Sequence, residues 1–160
     1  MTRYASAREM FEAAREAALD AERIRRQLDA MEGADLSLGG GGFEPRVRST
    51  PDPDRMGRAV AAHLEQAERL LARQEEDYRL IDAACDVLYG TDSEAGLWAL
   101  VGWRADALYH HYLALRTWAE VGELLGYSEQ HVWREAMAAL DTADAWGWRA
   151  VVGGMGGAED

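Results

Sequence analysis

Histidine and cysteine, which are common in catalytic and metal sites, occur four times and once in this 160-residue chain, and no pattern around them forms a complete site. Asp106 and His110 stand four residues apart on a predicted helix, a spacing at which two side chains can share a metal ion, and His63 with Glu68 is a weaker pair. No cluster of cysteine and histidine completes either site, so histidines on helix surfaces are the favoured interpretation. The glycine run 39–42 lacks the Lys-Ser/Thr ending of a phosphate-binding loop. We therefore expect no enzyme activity, no metal and no cofactor.

Residues 117–140 have the pattern of a helix-turn-helix. Thr117 and Glu120 stand three residues apart as a capping box, which predicts the start of a short helix. Gly126 follows that helix where a left-handed cap is favoured, and Ser128 can cap the next helix. Two short helices joined by a glycine turn are common in helical proteins. In DNA-binding proteins with this spacing, the second helix enters the major groove by its N-terminal residues.

The same residues are similar, without gaps, to region 4 of bacterial sigma factors. They resemble more closely a family of small phage-encoded proteins with a sigma region 4-like domain, relatives of the ArpU-type phage transcriptional regulators. The motifs that carry the resemblance lie within residues 106–140 and include Tyr112, Thr117-Trp118-x-Glu120, Gly126-Tyr127-Ser128, Val132, Arg134, Ala139 and Leu140. The resemblance implies a phage or prophage product whose partner is DNA, RNA polymerase or another phage protein.

Carried over by position, the resemblance assigns DNA contact to five residues at the start of the second helix: Ser128, Gln130, His131, Trp133 and Arg134. Gln130 can read adenine, and Arg134 can contact guanine or a phosphate. Trp133 can pack on a sugar or a thymine methyl group, and a contact to a partner protein or a core position suits it equally well. Sigma factors typically have DNA-contacting arginines where this chain has Glu129 and Trp133.

The charge of the chain weighs against binding DNA over a broad surface. It has 17 arginines, no lysine and 29 acidic residues, which gives a formal net charge of −12. Non-specific affinity for nucleic acid comes from neutralised phosphates, and residues 94–150 offer four arginines against eight acids. The predicted function is a phage transcriptional regulator that binds DNA. The alternative is a non-enzymatic protein-interaction module, for example a phage assembly factor or an RNA polymerase-docking factor.

The elements that must position this motif are predicted to be helices. A first helix over residues 5–31 has an apolar seam at spacings of four and three, as in coiled coils: Met10, Ala14, Ala17, Ala21, Ile24, Leu28 and Met31. A second helix over residues 54–89 has a stricter seam: Val60, Leu64, Ala67, Leu71, Gln74, Tyr78, Ile81, Cys85 and Leu88. Its partner is either the first helix folded back or a second copy of the chain, as a homodimer. Gln74, the one polar seam residue, either sets the register or is simply tolerated.

The sequence therefore predicts an all-α protein with a long coiled-coil-like helical hairpin over residues 1–90 and a small helix-turn-helix domain over residues 94–150. The Gly/Pro-rich stretch 32–53 connects the hairpin helices, a third helix spans residues 94–115, and the tail 153–160 is predicted to be disordered. The single cysteine and the absence of long apolar runs or a signal peptide favour a cytoplasmic protein without membrane contact.

Overall fold

A computed structural model describes residues 4–38, 53–91 and 95–147, and these ranges contain helices and turns without any strand. The all-α prediction is confirmed. The helices are α1 (Ala7–Leu38), α2 (Pro53–Tyr89), α3 (Leu97–Val101), α4 (Trp103–Leu108), α5 (Trp118–Leu125) and α6 (Glu129–Trp146), with a π-helical turn (Tyr109–Leu113) directly after α4.

The chain divides into two compact units. The hairpin unit consists of residues 20–76, and the helix-turn-helix unit consists of residues 1–19 together with residues 77–160. This division differs from the predicted boundary near residue 90. The start of α1 and the end of α2 belong to the helix-turn-helix unit because their apolar residues are part of its core.

The core of the helix-turn-helix unit is built from several helices that approach each other through small residues. Phe11 of α1 is fully buried, and its ring centroid lies 5.7 Å from that of Tyr112 in the π-helical turn. Asp144 of α6 accepts a hydrogen bond from the backbone N–H of Ala7 at 2.7 Å, which ties the end of α6 to the start of α1. The buried members of this core are Ala7, Met10, Phe11, Ala14, Ala84, Val87, Leu88, Leu97, Ala105, Leu108, Tyr112, Ala136, Ala139, Leu140 and Ala143.

The prediction of one continuous helix over residues 94–115 is wrong, because α3, α4 and the π-helical turn divide this segment. Gly102 separates α3 from α4 with φ +60°, a left-handed conformation that glycine adopts at little cost. The π-helical turn then ends before Leu115, whose φ of +62° is unusual for a residue with a branched side chain. Residues 92–94, the predicted start of this helix, lie outside the described residues.

The hairpin unit pairs the later part of α1 with the earlier part of α2. Asp20 forms an ion pair with Arg73, and the side chain of Gln74 donates a hydrogen bond to the Ala21 carbonyl at 3.4 Å. Because residues 20 and 21 begin this unit and residues 73 and 74 lie at its end, the two segments run antiparallel. The contact satisfies the polar end of Gln74, and its role in register stays a prediction.

Helix α1 extends beyond its predicted end at residue 31 and continues through Gly33 to Leu38. A single glycine costs a helix about 1 kcal/mol relative to alanine, too little to end a helix of 32 residues by itself. Most of the predicted connection, residues 39–52, and the whole tail 153–160 lie outside the described residues.

The predicted apolar seam is confirmed in α1 but is wrong at Leu71 in α2. In α1 the seam residues Ala21 and Ile24 are buried, as expected. In α2, Leu70 is buried, whereas the predicted seam residue Leu71 is 51% exposed. Helix α2 therefore turns a neighbouring set of positions inward, because it has apolar residues on two adjacent strips of its surface and α1 covers only one of them.

The core position of Phe11 gives a direct test of this arrangement. We expect Phe11→Ala to lower the free energy of unfolding by about 3 to 5 kcal/mol, because it leaves a cavity among fully buried side chains. Urea denaturation followed by circular dichroism measures the change. Leu124→Ala is the control, since Leu124 is 49% exposed and its truncation should cost much less. Equal losses for the two variants would contradict the described core.

Candidate functional site

The two short helices and the tight turn predicted over residues 117–140 are present, and both helices have the predicted caps. The Thr117 hydroxyl oxygen accepts from the Glu120 backbone N–H at 3.2 Å, and the Glu120 carboxylate accepts from the Thr117 N–H at 3.3 Å, which completes the capping box. Ser128 accepts from the His131 N–H at 3.2 Å and so caps α6. The caps satisfy N–H groups that helix ends leave without intrahelical partners.

Two glycines let the turn between α5 and α6 close tightly. Gly126 ends α5 with φ +81°, a left-handed conformation. Gly122, inside α5, is needed for a different reason: a Cβ atom there would lie 2.7 Å from the Tyr127 carbonyl oxygen. The Tyr127 N–H donates to the Gly122 carbonyl at 2.8 Å, so the turn folds directly back on the helix.

A small second core holds the motif on α4. Val121 of α5 and Val132 of α6 are fully buried together with Ala107 of α4. The half-buried side chains of Trp103, Trp118 and Leu125 pack around these three residues. This cluster leaves the start of α6 free to face outward, because only one side of the helix is needed for packing.

Aromatic stacking covers one flank of α6. The ring of Trp103 stacks on Tyr127 with centroids 4.5 Å apart, and the His131 ring lies 6.0 Å from Trp103. The Arg104 guanidinium lies 5.1 Å from the Trp103 ring centroid and forms an ion pair with Glu135. The hydrogen bond from Arg104 lowers the pKa of Glu135, so the pair stays ionised. His131 and Arg104 are therefore engaged with the protein itself.

The five predicted DNA-contacting residues are spread around the start of α6. Ser128, Gln130, Trp133 and Arg134 are exposed, while His131 is half-buried within the aromatic stack. Trp133 is 44% exposed, which rules out the core position considered for it. Gln130 and Arg134 are four residues apart and so share one outward face of the helix.

An open depression of about 240 Å³ lies on the other flank of α6, and the sequence did not indicate it. Its lining residues are Trp118, Glu129, Gln130 and Trp133. From the sequence, Trp118 stood out only within the motif Thr117-Trp118-x-Glu120. Trp118 is the first residue of α5, and Glu129 and Trp133 stand four residues apart in α6. These two features could have suggested that the three side chains lie together.

The surface of the motif is acidic. Over residues 117–147, Arg134 is the single basic residue apart from histidine, against six acids: Glu120, Glu123, Glu129, Glu135, Asp141 and Asp144. Arg116, just before α5, is exposed as well. Since the charge of Arg104 is balanced by Glu135, the described part of the motif presents few positive charges to a phosphate backbone.

The ring of His111 packs against Trp118, one of the residues that line the depression. Its ring stacks on Trp118 with centroids 3.8 Å apart and planes 15° apart. Its Nδ1 lies 2.8 Å from the Arg116 carbonyl oxygen, which can only accept, so the neutral ring carries its proton on Nδ1. Burial, and secondly the charge of Arg15, lower the pKa of His111 to about 4, although the bond to the Arg116 carbonyl opposes this. The ring under Trp118 is therefore neutral at pH 7.

Asp106 and His110, the pair considered as metal ligands, do not come together with further ligands to form a metal site. Asp106 accepts a hydrogen bond from the Tyr89 hydroxyl at 2.8 Å, and burial lowers the pKa of His110. Within residues 4–38, 53–91 and 95–147, no three His, Cys, Asp or Glu side chains come close enough to hold a metal ion. In the same ranges, no helix is both long enough and apolar enough to cross a bilayer.

Comparison of the chain with protein-family models, with curated proteins and with solved structures finds no match. The likeness to sigma region 4 therefore stays a prediction from the motif residues.

The close approach at Gly122 can be tested by adding a methyl group. We expect Gly122→Ala to lower the free energy of unfolding by about 1 to 3 kcal/mol, because the new Cβ would overlap the Tyr127 carbonyl. Gly57→Ala is the matched control: Gly57 is also helical but has nothing within 4 Å of the added atom, so alanine should stabilise. Denaturant unfolding compares the two, and stabilisation by both substitutions would contradict the tight turn.

The half-buried, neutral state of the His111 ring predicts a pH effect on stability. The ordinary pKa is 6.5 and the folded value is about 4, so between these pH values the unfolded chain binds a proton that the folded chain does not. The contribution of His111 to stability is therefore complete above pH 6.5 and is lost as the pH falls towards 4. Proton NMR of the His111 ring should give a midpoint near pH 4, and His111→Gln should flatten the decline in stability below pH 6.5. A midpoint at pH 6 or above would contradict this account.

Proposed function

We propose that the protein is a DNA-binding transcriptional regulator of phage type that reads DNA with the start of α6. The observation that carries the proposal is the exposure of Gln130 and Arg134 on one face of a helix whose first turn is capped by Ser128. The small core that holds the motif on α4 contains neither residue. This is how a recognition helix is presented to a major groove.

Direct contacts to bases would have to supply most of the binding energy. Gln130 has the donor and acceptor to pair with adenine, and Arg134 can pair with guanine through two hydrogen bonds. The acidic residues of the motif repel phosphates and few arginines are present to neutralise them, so non-specific affinity should be low. Binding of this kind should depend only weakly on salt, with a slope set by very few phosphates.

The alternative proposal is a protein-interaction module, and the depression beside α6 favours it. Trp118 and Trp133 offer aromatic surface there, with the carboxylate of Glu129 at its edge. Exposed tryptophans are typical of protein interfaces and contribute strongly to binding when a partner buries them. A partner such as RNA polymerase would dock through Trp133 rather than through Arg134.

The two proposals separate in a DNA-binding assay with the full chain and the DNA upstream of its own gene. We expect specific binding in fluorescence anisotropy, and Arg134→Ala should weaken it roughly 10-fold or more, since a bidentate base contact is worth about 1 to 3 kcal/mol. Arg23→Ala is the matched control, because Arg23 is an exposed arginine of the hairpin unit.

Absence of any binding at low salt would overturn the regulator proposal. Equal affinity for the upstream DNA and for a shuffled sequence would overturn it as well. The alternative predicts that purified bacterial RNA polymerase retains the protein and that Trp133→Ala, but not Arg134→Ala, abolishes this retention.

A further inference from the structure

The depression beside α6 combines two indole rings with a carboxylate. It is lined by Trp118 of α5 and by Glu129, Gln130 and Trp133 of α6. Glu129 and Trp133 stand four residues apart, so both side chains project from the same side of α6. The face of an aromatic ring and a carboxylate both attract positive charge, so this set of side chains suits a cation.

The two tryptophans of the depression are held in different ways. One face of the Trp118 ring is covered by His111, with centroids 3.8 Å apart, so a ligand can reach only the remaining surface of that ring. Trp133 is 44% exposed, and its ring stacks on no other ring in the described part of the chain. Trp118 is therefore fixed by the fold, whereas Trp133 is available to a ligand.

The carboxylate of Glu129 has no ion-pair partner within the described ranges. Two other acids of the motif are already engaged: Glu120 accepts from Thr117 in the capping box, and Glu135 is paired with Arg104. Glu129 lies in the first turn of α6, where the helix dipole offers a positive charge of about one half, less than the full negative charge of a carboxylate. The edge of the depression therefore keeps a net negative charge.

Charge and shape together select the kind of ligand. A nucleotide base can also stack on an indole ring, but its phosphates would meet the acidic surface of residues 117–147, where six acids stand against one arginine. A guanidinium group is planar, stacks on aromatic faces and can donate two hydrogen bonds to one carboxylate. The compact ammonium group of lysine has no flat face to stack, so arginine fits this set of side chains better.

We propose that the depression beside α6 binds an arginine side chain of a partner protein. The guanidinium stacks on the Trp133 ring beside Trp118 and donates to the Glu129 carboxylate, and the side-chain oxygen of Gln130 accepts from a further N–H group. This inference rests on the second proposed function, the protein-interaction module, and it names the chemistry that the partner must present.

NMR titration of the full, nitrogen-15-labelled chain with the blocked peptide Gly-Gly-Arg-Gly-Gly tests the proposal. The indole N–H signals of Trp118 and Trp133 should shift saturably, with a dissociation constant on the order of 1 mM for a single bound side chain. The matched ligand has citrulline in place of arginine, which keeps the shape and removes the charge, and it should bind at least about 10-fold more weakly. Equal binding of the two peptides would overturn the proposal, as would shifts confined to other tryptophans.

Two pairs of variants test whether the depression itself binds the arginine peptide. Trp133→Ala should weaken binding roughly 5-fold or more, while Trp146→Ala, which removes a 50% exposed tryptophan at the far end of α6, should change it less than about 2-fold. Glu129→Gln should weaken binding roughly 5-fold, and Glu123→Gln, which removes the same charge from the surface of α5, should have little effect. Because Trp133 and Glu129 are exposed, these variants should keep the wild-type circular dichroism spectrum.

Equal losses in the site variants and their controls would contradict the proposal, since the peptide would then respond to the overall acidity of the chain. A single-stranded oligothymidine that shifts the same indole signals at lower concentration than the arginine peptide would contradict it as well, because the depression would then take a base.

Arg134→Ala distinguishes arginine binding from the reading of DNA. Arg134 follows Trp133 directly, and its removal takes away a positive charge, so the arginine peptide should bind as well as before or more tightly. The same variant is expected to weaken DNA binding. Weaker peptide binding by Arg134→Ala would count against the proposal. If RNA polymerase is retained through Trp133 but the peptides show no preference for arginine over citrulline, the arginine inference fails while the interaction function stands.

Discussion

Burial of the apolar side of α6 is the constraint on which the helix-turn-helix unit depends. The later turns of α6 contribute Ala136, Ala139 and Leu140 to the main core, and its first turn contributes Val132 to the small core shared with α4 and α5. Helix α6 thus packs into two hydrophobic cores at once, and these contacts fix the rotation of the helix about its own axis. Its remaining sides, with Gln130 and Arg134, are exposed as a consequence.

The many alanines of the helices matter because they determine how close the helices come. Ala7, Ala14 and Ala84 are fully buried and leave room for larger neighbours such as Phe11. A helix with small residues on its inner face contributes little apolar area by itself, so it depends on a few large side chains. In this unit those are Phe11, Leu88, Leu97, Leu108 and Leu140, each essentially without exposed surface.

The surface of the motif combines exposed hydrogen-bonding side chains at the start of α6 with an acidic charge. Arg104 is close to the motif, but its guanidinium is held by Glu135 and the Trp103 ring. The aromatic residues on both flanks of α6 are placed by stacking, Trp118 on His111 and Tyr127 on Trp103. A ligand of this surface would meet hydrogen-bonding groups and aromatic rings more than a field of positive charge.

Local patterns predicted the parts of the fold that are decided within a few residues. The capping box at Thr117, the left-handed cap at Gly126 and the cap at Ser128 all have the predicted geometry, because each is decided by residues only three or four positions apart along the chain. The predicted seam of α1 is also confirmed at residues such as Ala21 and Ile24, which are buried. The predicted helix ends were less accurate. Helix α1 continues past Gly33, because the low helix propensity of one glycine does not end a helix by itself.

The tertiary structure alone decided which surfaces are covered. The sequence placed apolar residues on two neighbouring strips of α2, and only the position of α1 determines that Leu70 is buried while Leu71 is exposed. It also decided that the helix expected over residues 94–115 breaks at Gly102 and that Trp118 meets Trp133 across a depression. Local sequence determines which conformations a segment favours, while contacts between distant residues determine which of its faces lose contact with water.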